Sequence, residues 1–510
     1  MNGVTPLILR NGQAISLKGC RVLPFELWKA GVLVEVGGGA RVSALFLEPR
    51  DGMDRLHAVL IGGGKPELQW WITEVGPQYP ALTPECPQVH WFEREIGEQW
   101  GTRPLGHPWF KPIRFHRSYR PELDAWHRLP DTPILPSVTD FFQVEGEEIH
   151  EVAVGPVHAG VIEPGHFRFQ CHGETVLHLE ISLGYQHRGV ERALVGGPNG
   201  RTIHYMETLA GDTTVGHTMA YCQAVEGLAG LQPSEEAERV RAIALELERL
   251  ANHAGDLGAL ANDVGYLPTS SYCGRIRGDL LNMTALLCGN RFGRRLVRPG
   301  GIGVGIDRAT LDELGTQIRQ AHKDLVSAVE LLWKTPSVRA RFENAGRVSR
   351  ETCLELGLVG VAARASAVGR DVRSECPTGA YARRQLGVCT HPDGNVQSRA
   401  LVRWDEIQRS IDFITAELSN LSGVASPANC QIGHDRLAPE AGIVSLVEGW
   451  RGEICHVALT DSSGRFAQYK VIDPSFHNWM GLAMALRNQQ ISDFPLCNKS
   501  FNLSYCGHDL

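Results

Sequence analysis

The chain has 510 residues, 43% hydrophobic and 21% charged, with a formal net charge of −7. That length holds two or three domains with a sizeable core, and the composition excludes a disordered polymer. The lack of a basic excess excludes the electrostatic footprint of a nucleic-acid binder.

Thirteen cysteines are scattered without a single C-x-x-C pair. This argues against a self-contained zinc or iron–sulfur site and fits a reducing cytoplasm, where cysteines serve as small buried hydrophobes. No basic start followed by an apolar run opens the sequence. No window reaches the roughly 18 apolar residues of a membrane helix, so other subunits would have to hold the chain at a membrane.

In chain order, "GVLVEVGGGARVSALFLEP" reads as two strands around Gly37-Gly38-Gly39, and "LHAVLIGGG" as a third. "HWFEREIGEQW" reads as a short helix with Trp91, Ile96 and Trp100 as its apolar positions. Residues 118–139, with four prolines between 118 and 136, read as an extended linker. Beyond them a β-like entry, "GHFRFQCHGETVLHLEISLGY", leads into long helical patterns. One helix carries Val240, Ile243, Ala244, Leu247, Leu250, Ala251 and Ala254 as a stripe. Ser234 caps it, with Glu235 and Glu236 at the positive dipole end. A second covers roughly 310–334. A third has Leu401, Trp404, Ile411, Ile414, Leu418 and Leu421 on one face. The expected class is α+β: a small α+β domain (1–117), a linker (118–139) and a large, mainly helical bundle with β appendages (140–510).

Four segments concentrate polar residues. "GPVHAGVIEPGHFR" holds His158 and Glu163 in a loop before a strand. "GYQHRGVER" holds His187, Arg188 and Glu191; read as a helix start, it puts His187 and Glu191 on one face. "GDTTVGHTMAYCQAVEGLAG" reads as a helix bearing His217, Tyr221 and Glu226. "VEGWRGEICHVALTD" reads as a strand opened by Arg451-Gly452. Taken singly, each also reads as a surface charge or a satisfied buried polar group.

Together, in this order and with "ERLANHAGDLGALANDVG", "RPGGIG", "LGLVGVAARASAVGRDVR" and "IDPSFHNW", they resemble a known family. It unites the large subunits of energy-converting, membrane-bound [NiFe] hydrogenases with the 49 kDa subunit of respiratory complex I. The resemblance covers about residues 150–510. "YPALTPECPQVHWFEREIGEQWGTRPLGHP" (79–108) resembles the 30 kDa complex I subunit, and the fusion of the two looks like the formate hydrogenlyase large subunit.

The departures carry the functional expectation. Hydrogenases of this family bind nickel through two C-x-x-C pairs, because the metal takes four soft thiolates. Counted back from His217, the early pair falls on Ala210 and Thr213. Laid on "NLSYCG", the late pair falls on Ser504 and Gly507. No nickel is therefore expected, and a working hydrogenase is the hardest reading to sustain. The chain also stops where hydrogenase maturation leaves an end, so no processing is expected. In complex I the emptied pocket takes a quinone headgroup, with a histidine on the first β-turn and a tyrosine near the early cysteines. Here His158 matches the histidine, while the tyrosine position falls near Gly211.

The resemblance implies an oxidoreductase subunit acting within a complex. It would dock on a small subunit carrying a [4Fe-4S] cluster, above membrane-embedded antiporter-like and anchor subunits, on the inner face of the cell membrane. Electrons would pass to a quinone-like acceptor, coupled to ion movement, with any NADH handled elsewhere in the complex. Within it His158 would donate to the acceptor, and His187 and Arg188 would face the cluster. Glu163, His217 and Glu226 would carry protons, and Arg451 would project a fixed charge into the pocket. A non-catalytic scaffold subunit is the alternative: a filled cavity would favour it, and an open one lined by His158 and Arg451 would favour a quinone.

Overall fold

The computed structural model describes residues 5–129, 131–158, 162–422 and 437–510. Its first block is a four-stranded antiparallel sheet in the order Leu7–Leu9, Lys65–Val75, Asp54–Gly62, Ala40–Glu48. Against it lies the helix Phe25–Gly37, where the sequence suggests the first of two strands. The β-branched run in "GVLVEVG" favours a strand, but Trp28 and Val32, one helical turn apart, are both fully buried, and tertiary packing overrides local preference. The helix His90–Trp100 forms as expected and ends on Gly101 in the left-handed conformation.

Between Leu105 and Ile149 the described residues carry no helix or strand. A three-stranded antiparallel sheet follows: Ile149–Val154, His166–His172 and Thr175–Ser182. The bundle is built from Thr214–Ala229, Glu235–Asp263, Leu267–Cys288, Arg308–Trp333 and Val396–Ser419. Ser234, Asp307 and Asn395 each cap a helix by accepting a backbone N–H, at Ala237, Thr310 and Ser398.

Two of these helices bury more than an apolar stripe. A sealed network joins Glu246, Arg249, His253, Arg364, Asp371, Arg373, Glu406 and Glu448. In it Arg364 meets Glu406 and Glu448, each at 2.7 Å. Charges held this deep persist only because each finds a partner.

The last sheet runs Phe466–Ile472, Glu453–Thr460, Ala441–Glu448 and then Ala14–Ser16, so a strand from the first block completes a sheet of the second. More contacts stitch the blocks together. Lys470 reaches Glu95 at 2.6 Å, Arg114 donates to His508 O at 2.9 Å, and Arg41 pairs with Glu453. One hydrophobic cluster runs through both. No helix among the described residues is long and apolar enough to cross a membrane.

Candidate functional site

The site forms where three pieces of backbone meet. The first is the start of the helix Thr214–Ala229. Buried Glu248 accepts from Val215 N (2.7 Å) and Gly216 N (3.2 Å), a natural seat for a carboxyl at a helix N-terminus. The second is the turn between Ala441–Glu448 and Glu453–Thr460, so "VEGWRGEICHVALTD" is a hairpin and not a single strand. Gly452 has φ +140°, and a Cβ there would lie 2.8 Å from Gly360 Cα, so a side chain is excluded.

This turn folds Arg451 inward. It does not project as a free charge. Nη1 and Nη2 grip Asp212 at 2.6 and 2.8 Å, Nη1 reaches Thr213 Oγ1 at 3.3 Å, and Nε donates to Asn502 O at 2.5 Å. The Trp450 ring lies beneath the guanidinium at 3.9 Å.

The third piece is the closing segment, with the helix Tyr505–Asp509. Ser504 Oγ accepts from Gly507 N at 2.9 Å, and Ser504 N donates to Ser475 Oγ at 2.8 Å. Glu163 accepts from Tyr505 N and Cys506 N, both at 3.3 Å. Asp509 accepts from Gly184 N and Gln186 N. His187 Nδ1 meets Asp509 O at 2.8 Å, and Arg188 N donates to Leu510 O at 2.8 Å.

At the four positions that the resemblance aligns with nickel ligands, the residues present do not fit the metal. Ala210 has no donor. Thr213 and Ser504 spend their hydroxyls on Trp450, Arg451 and Gly507. At Gly507 the room for a side chain is taken: a Cβ would lie 2.7 Å from Asp473 Cγ. Among the described residues no group of three or more His, Cys, Asp or Glu has the arrangement to hold a metal ion.

Asp473 instead ends a buried hydrogen-bonded chain. Its Oδ2 lies 3.0 Å from His217 Nε2. His217 Nδ1 lies 3.1 Å from His456 Nε2, and His456 Nδ1 lies 3.0 Å from Tyr469 OH. Burial pushes the Asp473 carboxyl up, but His217 and Arg451 outweigh it and hold it below the usual carboxylate range. Burial, with His217 beside it, holds His456 well below an ordinary histidine, hence neutral.

With Tyr469 donating, every atom is satisfied in one direction: Tyr469 O–H to His456 Nδ1, His456 Nε2–H to His217 Nδ1, His217 Nε2–H to Asp473. A proton arriving at Tyr469 can shift along this line to His217 without any side chain moving, leaving an imidazolium against the Asp473 carboxylate.

The structure thus brings His217 and Arg451 together around Asp212 and Asp473, and sets Glu163, His187 and Arg188 around the closing helix. His187 and Glu191 do not share a helical face, because the helix begins only at Val190. His187 stacks on His116 and is pushed down to about 4 by burial, while Glu191 points to Lys470 and Gln99. Arg188 holds Thr208 O and Leu209 O. His158 bonds Gly165 O at 3.0 Å, outside the cradle. Glu226 sits two to three turns along the helix from His217, about 14 Å by helical rise, and pairs with Arg241. Asp212, His456, Tyr469 and Asp473 are the site residues that sequence reasoning missed. All lie in or beside segments read as motifs, with no local pattern marking them.

Residues 263–436 match the family described as respiratory-chain NADH dehydrogenase, 49 Kd subunit. The chain is 28% identical to formate hydrogenlyase subunit 5 of Escherichia coli (strain K12), over 85% of this chain and 78% of the relative. It is 28% identical to an NADH-quinone oxidoreductase subunit of Clostridium beijerinckii, over 64% and 87%. It is 26% identical to membrane-bound hydrogenase subunit alpha of Pyrococcus furiosus, over 69% and 85%. The protein is a homologue of oxidoreductase-complex subunits. More narrowly, it carries a domain of the 49 kDa subunit family of respiratory NADH dehydrogenase, with relatives among hydrogenase and formate hydrogenlyase subunits.

Proposed function

We propose that this chain works as a nickel-free subunit of a membrane-bound oxidoreductase complex. It takes electrons from a [4Fe-4S] cluster in a small partner subunit and passes them to a quinone-like acceptor. Antiporter-like and anchor subunits in the membrane couple that reduction to ion movement and hold the chain on the inner face.

The observation that supports this reading is the Tyr469–His456–His217 line ending at Asp473, against Gly507. A quinone accepting two electrons must also accept two protons, and this line is an ordered means of supplying them where the thiolate donors are missing. His217 would hold the proton, Asp473 would stabilise the imidazolium, and Arg451 with Asp212 would fix the cradle. His187 and Arg188, bonded to the end of the closing segment, would bias the partner's cluster electrostatically. His158, Glu163 and Glu226 remain candidates for donating to the acceptor or relaying protons.

The test is to quantify nickel and iron per copy of this chain in the purified native complex and to assay reduction of a short-chain quinone. Iron without nickel, with quinone reduction, is the expected result. Stoichiometric nickel overturns the reading.

The closed cradle favours a second reading: with Arg451 folded onto Asp212, the chain is a scaffold that transmits conformational change and has no substrate. Iron without nickel and without reduction of any quinone would select it.

A further inference from the structure

On the far side of the closing helix lies a cavity of about 560 Å³ at the seam of the two blocks. The helix His90–Trp100 supplies Trp91 and Arg94, the strand Thr175–Ser182 supplies His178 and Glu180, and the helix Pro474–Ala485 supplies Trp479 and Ala483. Trp91 packs on His508 and Trp479 on Tyr505, each at 4.9 Å, so two indoles separate the cavity from the cradle. A molecule held there stands apart from the proton line.

One charge in the cavity wall is uncompensated. Arg94 is 8% exposed, and its Nε and Nη2 donate to Lys111 O and Pro112 O, both at 2.7 Å. Its Nη1 has no hydrogen-bond partner and the group has no carboxylate partner among the described residues. Burial lowers its proton affinity to about 10, against Glu180 and Glu98 acting from beyond contact, so it stays charged at neutral pH. Other buried guanidiniums, such as Arg41, Arg114, Arg364 and Arg451, pair with carboxylates. Glu180 does not serve Arg94. It pairs with Lys111 and accepts from Trp109 Nε1 (3.1 Å) and Phe142 N (2.8 Å). The histidines add no charge: burial pushes His90 down to about 3 and His107 to about 4, and it lowers His178 as well. The wall therefore carries one unmatched positive charge beside an apolar volume.

A buried cation without a counterion is costly, and a carboxylate is its ordinary remedy. A volume of this size with aromatic and aliphatic walls has the character of a small-molecule site. We propose that the seam cavity binds an apolar monocarboxylate, alkyl or aryl, whose carboxylate accepts from Arg94 Nη1 and whose body lies along Trp91, Trp479 and Ala483. A second negative charge would go unmatched beside Glu180, and a cation would meet Arg94 directly, so the wall selects the charge of the ligand as well as its polarity. Bound there, the ligand touches both blocks and tightens their seam.

The test is equilibrium binding of decanoate and 2-naphthoate to the native complex, against Arg94→Gln and against Ala483→Phe and Met480→Trp, which fill the cavity. Thermal unfolding serves as the control for folding. Saturable binding of at least one acid is expected, and each filler should weaken it about tenfold or more. Arg94→Gln should weaken the acids about ten- to a hundredfold, the worth of a charge-assisted hydrogen bond, and leave decanol within about threefold. Decylammonium, with the same body and the opposite charge, should not bind the native complex, a comparison that needs no variant. A preference for decanoate marks an alkyl ligand and a preference for 2-naphthoate an aryl one, and either supports the class. The proposal is overturned by no saturable binding of either acid, by undiminished binding in folded fillers, by decylammonium binding as tightly as decanoate, or by equal losses of decanoate and decanol in Arg94→Gln.

Discussion

The cradle beneath the closing helix and the cavity at the seam lie back to back, sharing the Trp91–His508 and Trp479–Tyr505 contacts, yet one is filled and the other open. The difference follows from their walls. The cradle is bounded by carboxylates, a guanidinium, hydroxyls and helix-end amides. Buried unpaired, the neutral groups each cost about 1–3 kcal/mol and the charged ones more, so they close on one another. The cavity is bounded mostly by rings and aliphatic groups, which lose only dispersion contact by standing apart, and its charged wall groups Arg94 and Glu180 are bonded to their own neighbours, so little pulls the walls together. Polar space closes into pairs, whereas apolar space persists.

The polar side should break hardest. Arg364→Ala would remove the cation nearest Glu406 and Glu448, leaving Glu406 to His253 and Arg249 and Glu448 to the Val372 amide. A loss of about 3–5 kcal/mol in denaturant unfolding is expected. A loss within about 1 kcal/mol would show that the network is wet and not sealed.

Next comes Gly507→Ala, whose methyl would enter the space held by Asp473. It should cost about 1–3 kcal/mol and perturb the His217 ring resonances in NMR. Tolerance without either effect would mean that the cradle has slack, and the comparison with the cavity would weaken.

A third test uses pH. Burial pushes Glu248 up to about 8 despite its two amide partners. Its folded form therefore favours the proton more than the unfolded form does. Its contribution is complete below the ordinary value of 4.5 and is lost as pH rises through about 8. Across that window Glu248→Gln should remove about 1.4 kcal/mol per pH unit from the slope of stability against pH. An unchanged slope would place the carboxyl in water.

The smallest effect should come from the apolar side. Ala483→Leu, placing carbon into open space, should shift stability by less than about 1 kcal/mol. A loss of several kcal/mol in thermal unfolding would show the cavity to be an exact fit and not open room.

Much of this was legible from sequence where the signal is local. The cap at Ser234 and the stripe from Val240 to Ala254 define their helix because capping and 3.6-residue periodicity are short-range. The residues of the buried chain that ends at Asp473 were not legible in the same way. His217 meets His456 across 239 residues and Asp473 across 256, and His456 lies in a strand whose eight residues are all buried, so it reads as part of an apolar run. Arg451 stood out in the sequence beside Gly452, but its partner Asp212 lies in a turn with no periodicity to mark it. The helix Phe25–Gly37 escaped for a related reason: its fate was decided by Trp28 and Val32 packing on a sheet formed later in the chain.

The strand Ala14–Ser16 pairs with Ala441–Ile443, bridging the two blocks across more than 400 residues of sequence. The run between Leu105 and Ile149 is then not the sole link between the halves in the finished molecule. It acts as a tether that presents one half to the other at an effective concentration on the order of millimolar. A chain cut within that run should still travel as one particle. Synthesis as a single polypeptide supplies the halves in equal number, so neither has to search for the other or accumulate in excess.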